Sequence, residues 1–369
     1  MSRELLSLAV PGVRGLKPYE PGKPLTELER EYGIKQAIKL ASNENPLGPG
    51  AKALAAIRAG LDQLGRYPDG NGFALKAALA RTHGIAPEQI TLGNGSNEVL
   101  EFVARAFVLP ENEVVYSQHA FAVYPLVTQA IGAKAVVTPV LDWAHNLEAM
   151  AAAINARTRL VFVANPNNPT GTWIAADILE RFLQRLPEHV VVVVDEAYYE
   201  YVSEPRYPNT IPWVARFPNL VVTRTFSKVH GLAGLRVGYG VSSAQMADLL
   251  NRVREPFNVN SLALAAAEAA LADEQHVAES LKMNSAGMQQ LTRGLDDLGL
   301  AYIPSVANFI TLDLGRPAAP VYQALLRQGV IVRPIANYGM PNHLRVTIGR
   351  PQENERFLAA LKNAVTSDL

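Results

Sequence analysis

Three polar side chains, two of them able to do covalent or acid–base chemistry, stand at the ends of valine-rich runs. Asn165 closes RLVFVAN, Asp195 follows the valines of HVVVVVDE, and Lys228 closes NLVVTRTFSK. A lysine at the edge of an apolar strand is held away from water, which disfavours its charged form and leaves a neutral amine to attack a carbonyl carbon. Amine catalysis or a Schiff base follows. An aspartate in a low-dielectric place is costly unless a cation or a donor meets it. A protonated pyridine nitrogen is such a partner, and the combination describes pyridoxal 5'-phosphate chemistry.

These groups need elements that bring them together. Asn165, Asp195 and Lys228 are 30 and 33 residues apart, each interval long enough for one strand-helix-strand crossover of about 30 residues. Valine runs without alternation are expected where helices cover both faces of a parallel sheet. In such a sheet ligands bind beyond the carboxyl ends of the strands, so the three polar ends should meet in one crevice. The fold class expected is therefore α/β, with a mostly parallel central sheet covered by helices in residues 46–275. Residues 276–369 read as a smaller C-terminal α/β domain, with helices near 276–299 and 318–328, strands in NFITLDL, VIVRP and LRVTIG, and a terminal helix from about 352. Residues 1–45, rich in Pro, Gly and charge, read as an N-terminal arm. The stretch REPFNVNSLALAAAEAALADEQ, whose Ala and Leu content favours helix, joins the two units.

Composition narrows the function. A chain of 369 residues, 49% hydrophobic and 18% charged, buries enough apolar surface to exclude a largely disordered protein. Its 34 basic residues balance 34 acidic ones, so no net field holds a polyanion and nucleic acid is not expected as a partner. The absence of cysteine removes disulfides, thiolate metal sites and thiol nucleophiles. No apolar run approaches the roughly 20 residues of a membrane-spanning helix, and a cytoplasmic location without membrane contact is expected. The seven histidines show no zinc-site spacing, so no metal is expected.

NPNNPTG (Asn165 to Gly171), DEAYYEY (Asp195 to Tyr201) and TFSKVHGLAGLRVG (Thr225 to Gly238), in this order, resemble the signature of fold-type-I pyridoxal-phosphate aminotransferases. Within them, PYEPGKP, IKLASNENPLGP, RYPDG, LGNGSNE and LRVTIGRPQENERFL resemble the histidinol-phosphate aminotransferase family over almost the whole chain. The resemblance implies that Lys228 holds the cofactor and moves the substrate proton, that Asp195 keeps the pyridine nitrogen protonated, and that Tyr198 and Asn168 donate to its phenolate oxygen. Phe121, in HAFAVYP, falls where the family stacks an aromatic ring on the pyridine. For the phosphate, a Gly-rich turn opens a helix at Ser96 and Asn97, whose backbone N–H groups form an anion seat; Ser227 and Arg236 add a hydroxyl and a guanidinium. Tyr67 would reach the phosphate of the neighbouring subunit, which implies a homodimer. Arg345 would bind the phosphate of one substrate and a carboxylate of the other, completed by Arg333 and Tyr19.

The activity so implied is transamination of L-histidinol phosphate with 2-oxoglutarate, giving imidazole-acetol phosphate and glutamate, in histidine biosynthesis. An aromatic amino-acid aminotransferase and an amino-acid-phosphate decarboxylase on the same fold are the alternatives. Taken singly, the same residues have plain explanations: Asp195 as a helix cap, Asn165 and Asn168 as turn formers, Phe121 as core, Arg345 and Arg333 as partners of nearby carboxylates. Two pairs depart from the family pattern. His119 and Ala120 precede the stacking position, and Val229 and His230 follow Lys228, where a change could alter the lysine pKa or the substrate pocket.

Overall fold

The computed structural model describes residues 2–18 and 22–366. Seven strands form the main sheet: β2 (Ile90–Gly93), β3 (Glu113–Ser117), β4 (Lys134–Thr138), β7 (Thr158–Ala164), β8 (Val191–Asp195), β9 (Leu220–Thr225) and β10 (Gly238–Val241). Between β4 and β7 the chain makes a small hairpin, β5 (Val140–Leu141) with β6 (Ala144–His145). Their order across the main sheet is β2-β10-β9-β8-β7-β3-β4, and only β10 runs against the rest.

The valine runs show why this sheet is central. Val192 and Val194 point into one apolar cluster with Leu79, Leu179 and Phe182, from helices Phe73–His83 and Ala176–Arg185. Val191 and Val193 point into another with Val103, Tyr124 and Leu250, from helices Ser96–Phe107, Val123–Ile131 and Ala244–Val253. Successive residues of a strand alternate faces, and with both faces covered every position is apolar. Each fully buried valine contributes roughly 1.5 to 3 kcal/mol to the sheet. The same parity aims Asp195 at the second cluster and its neighbour Glu196 at the first.

The smaller unit is an antiparallel sheet in the order β11-β12-β15-β14, built from β11 (Ala301–Ile303), β12 (Phe309–Asp313), β14 (Arg333–Pro334) and β15 (His343–Thr347). Helices Glu274–Asp297, Ala318–Arg327 and Pro351–Thr366 cover one face through Leu291, Leu295, Leu325 and Phe357, which meet Ile310, Leu312, Leu344 and Val346. Alternation leaves Thr311, Arg345 and Thr347 on the opposite face, toward the main sheet. There Thr311 Oγ1 donates to the carbonyl of Pro169. Among the described residues no helix is long and apolar enough to cross a membrane.

Part of the expected arm is built into this smaller unit. Helix Leu25–Tyr32 buries Leu28 completely, and β1 (Ile38–Lys39) pairs in parallel with β13 (Val330–Ile331). Leu40 joins the apolar cluster of the small sheet, and its carbonyl accepts from the N–H of Thr347. The charged residues around Leu28, Ile38 and Leu40 hide this short apolar pattern in the sequence, whereas the backbone ladder to β13 and β15 settles its place.

Candidate active site

A cavity of about 400 Å³ lies between the carboxyl ends of β7 to β9 and the polar face of the small sheet. It gathers Ser96, Asn97, Phe121, Asn168, Asp195, Tyr198, Ser227, Lys228, Arg236, Arg333 and Arg345 from opposite ends of the chain. Tyr67 lies elsewhere, 83% exposed and stacked on Phe257. Tyr19 lies outside the described residues.

Lys228 follows β9 by three residues and reaches the cavity, where Nζ donates to the carbonyl of Ser42 at 3.3 Å. Burial lowers its pKa to about 7, helped by the positive charges of Arg345 and Arg236 and opposed by Glu44 and Asp195. Asp195, the last residue of β8, is buried. Burial raises its pKa above the ordinary carboxylate value, against two hydroxyl donors that favour the charged form. Tyr124 OH reaches Oδ2 at 2.9 Å and Thr223 Oγ1 reaches Oδ1 at 3.0 Å. The backbone N–H of Ala197 adds a third donor, and of the roughly four lone-pair positions of the carboxylate one is left to offer. Tyr198 is also buried, its pKa pushed up to about 12 chiefly by that burial, with the ring edge-on to Phe309 and its hydroxyl meeting Asn43 Nδ2 at 2.8 Å.

An anion seat lies opposite. Helix Ser96–Phe107 begins after Gly95, whose φ is 80°. A Cβ at Gly95 would stand 2.1 Å from Arg236 Nη2, and one at Gly238 would stand 2.4 Å from the N of Ser96. Glycine at both places lets the guanidinium lie against the opening amides of the helix. Arg236 itself has a left-handed φ of 57° and donates from Nη1 to Ser227 Oγ at 3.2 Å. Helix N–H groups, a hydroxyl and a fixed cation in one place suit a phosphate ester.

Arg345 donates from Nη1 to Asn168 Oδ1 and from Nη2 to the carbonyl of Ala41, while Nε has no partner. The guanidinium is 5% exposed and forms no ion pair with a carboxylate among the described residues, which removes the plain reading. Arg333 stands directly across from it in the β14–β15 register. Like charges directly opposite on neighbouring strands repel, so two buried arginines on one face of the sheet fit an anion between them.

Several contacts were not visible in the sequence. Tyr124 lies three residues beyond Phe121, so one helical turn puts the first against Asp195 and the second at the cavity, their rings edge to face. Asn43 lies in IKLASNENPLGP, but its contact with Tyr198 depends on the docking of residues 38–43. Behind the sheet, Arg224 donates from Nε and Nη2 to Glu196 Oε2 at 2.9 and 2.7 Å, a buried pair one residue from Asp195. Val229 and His230 do not line the cavity: Val229 is fully buried and His230 packs on Phe226. His119 has a left-handed φ of 52° and joins its Nδ1 to the carbonyl of Tyr338 in the smaller unit. No group of three or more metal-ligating side chains occurs among the described residues.

A buried lysine, a buried carboxylate and a seat suited to a phosphate ester at the strand ends of an α/β sheet fit a cofactor-dependent transferase site. Residues 35–361 match the family model described as aminotransferase class I and II, and the chain belongs to that family. Histidinol-phosphate aminotransferase 1 of Nitrosococcus oceani is 61% identical over 97% of both chains. Histidinol-phosphate aminotransferase 2 of Pseudomonas fluorescens is 63% identical over 98% of both. The crystal structure of histidinol-phosphate aminotransferase from Sinorhizobium meliloti, in complex with pyridoxal-5'-phosphate, superposes with a TM-score of 0.90 at 31% identity, covering 98% of this chain and 99% of that one. These relatives place the chain in the histidinol-phosphate aminotransferase branch of the family.

Proposed function

We propose that the chain transfers the amino group of L-histidinol phosphate to 2-oxoglutarate, yielding imidazole-acetol phosphate and glutamate, with pyridoxal 5'-phosphate held in the cavity. The observation that carries this reading is the buried, cross-strand pair of Arg333 and Arg345 without a carboxylate on Arg345. One anion site can accept the phosphate of the first substrate and a carboxylate of the second. The names of the relatives at 61% and 63% identity support the same substrate.

The cofactor supplies an aldehyde for the substrate amine and a pyridine ring that accepts electrons from the α-carbon. The remaining work falls to the chain. Lys228 would hold the cofactor through its amine and would carry the substrate's proton. Asp195 would hold the pyridine nitrogen protonated, Tyr124 and Thr223 favouring its charged form. Asn168, with Oδ1 taken by Arg345, has its amide N–H groups left for the ring oxygen, beside Tyr198. Phe121 flanks the ring, and Ser96, Asn97, Ser227 and Arg236 hold the phosphate. Tyr19 belongs to the substrate phosphate in this reading, on the resemblance alone.

A homodimer completes the proposal. Tyr67 and Phe257 stack in the open, with Leu61, Leu64 and Phe73 also exposed, an apolar group of the kind a second subunit covers. Tyr67 of one protomer then reaches the phosphate in its partner. The test is a donor panel with 2-oxoglutarate as acceptor. Glutamate should form with histidinol phosphate at a kcat/KM roughly tenfold or more above that for phenylalanine, because a phosphate makes more charge-assisted hydrogen bonds to two guanidinium groups than a carboxylate does. Absence of glutamate from that pair, or carbon dioxide release without keto-acid consumption, would sink the reading.

A further inference from the structure

Three consecutive residues touch three different parts of the site. The carbonyl of Ala41 accepts from Arg345 Nη2 at 2.8 Å, the carbonyl of Ser42 accepts from Lys228 Nζ at 3.3 Å, and Asn43 Nδ2 donates to Tyr198 OH at 2.8 Å. The ribbon is anchored on the smaller unit by β1, paired with β13, and by Leu40, bonded to β15. Asn43 is 1% exposed and has a left-handed φ of 55°, a conformation that asparagine tolerates better than most residues.

Hydrogen-bond accounting decides which way its amide faces. Thr347 Oγ1 accepts from the backbone N–H of Asn43 at 2.9 Å. That directs the Thr347 proton to Asn43 Oδ1, 3.2 Å away. The amide oxygen is thereby occupied, and the NH₂ end is the one that meets Tyr198. The Tyr198 oxygen is then an acceptor for Asn43, and its single proton has to point elsewhere, into the cavity. The carbonyl of Asn43 accepts in turn from Asn308 Nδ2 at 2.9 Å, so the backbone of this residue is held from a third element.

We propose that Asn43 is a positioning residue for Tyr198: its amide commits the phenol proton to the ring oxygen of the cofactor, and Thr347, two residues beyond Arg345 on β15, sets the amide. The inference rests on the placement of that ring oxygen beside Tyr198 in the proposed function. It couples the strand that holds the substrate anion to the tuning of the cofactor. A donor on the ring oxygen stabilises its negative charge and lowers the proton affinity of the linked Lys228 nitrogen.

The test is a pH titration of the visible absorption of the loaded enzyme, with kcat and KM measured alongside. Asn43→Gly removes the donor and suits the left-handed backbone, and Asn43→Asp keeps the shape but reverses the direction of the bond, drawing the tyrosine proton away. Both should raise the spectral midpoint by roughly one pH unit and lower kcat about tenfold with little change in KM, as expected for loss of one hydrogen bond to a charged group. Tyr198→Phe should give a similar shift, and adding either Asn43 variant to it should move the midpoint no further. If Tyr198→Phe alone leaves the midpoint in place, the assignment of Tyr198 falls, and this inference with it. If Tyr198→Phe shifts the midpoint but the Asn43 variants do not, or shift it equally in the Tyr198→Phe background, Asn43 does not act through Tyr198 and only the inference is lost.

Discussion

In the proposed function Lys228 depends on surroundings that remove a proton water would leave in place. Burial comes first and the Arg345 charge second in bringing its pKa from 10.5 to about 7. The neutral amine is the attacking form, so capture of pyridoxal phosphate by the apoenzyme should be slow in acid and rise to a plateau above a midpoint of about 7. Stopped-flow absorbance at a series of pH values reads that midpoint. Arg345→Ala removes a lowering charge, so the midpoint should move upward; an unchanged midpoint would show that burial alone sets it. At this scale the sequence was informative for Lys228 and Asp195, because a polar group ending a run of valines has to be buried. Asn43 and Tyr124 lie within quoted motifs, IKLASNENPLGP and HAFAVYP, but their contacts were not legible, because these join residues 155 and 71 positions apart.

Elements convert those residues into directions. Strand parity sends Asp195 and Thr223 to the cavity side and Glu196 and Arg224 to the opposite face, where they pair. On β15 the same parity gives Arg345 and Thr347 to the site and Leu344 and Val346 to the core. The phosphate seat depends on how closely β10 passes the helix start. Gly238→Ala would drive a methyl group into the N of Ser96 and the C of Gly95, both backbone atoms, and neither can rotate away. The opening turn has to shift, so affinity for pyridoxal phosphate should fall roughly tenfold or more, on the scale of one lost charge-assisted hydrogen bond. Titration of apoenzyme followed by fluorescence measures it, and unchanged affinity would mean the amides of this turn are not the seat. GNGSNE showed a helix start able to take an anion. The resemblance added Arg236 to it, and the left-handed turn at that residue, with its bond to Ser227, is how the structure brings the guanidinium there.

At the scale of the whole molecule the site is a seam. The main sheet contributes the lysine, the aspartate and the phosphate seat, and the smaller unit contributes both arginines and the ribbon of residues 41–43. In the proposed homodimer, the exposed stack of Tyr67 on Phe257 extends the same logic to the second subunit. Phe257→Lys places a charge where that apolar contact would close, and in a two-fold interface it does so twice. Sedimentation velocity should then report a particle of 40.0 kDa, with turnover lost in proportion to dimer, whereas the unaltered chain should sediment at about twice that mass. A Phe257→Lys enzyme that remains dimeric would put the interface elsewhere.

Local pattern was enough for the α/β class, the parallel strands and the chemistry at their ends. Those rest on short-range rules: burial on both faces forces unbroken valine runs, and ligands gather where such strands stop. The docking of residues 25–43 onto the small sheet was decided by tertiary structure alone, because its apolar residues are too few and too interrupted to announce a partner. So was the pairing of Arg333 with Arg345 across two strands. Both depend on hydrogen-bond ladders between distant segments, and a ladder has no local signature because every backbone carries the same donors and acceptors.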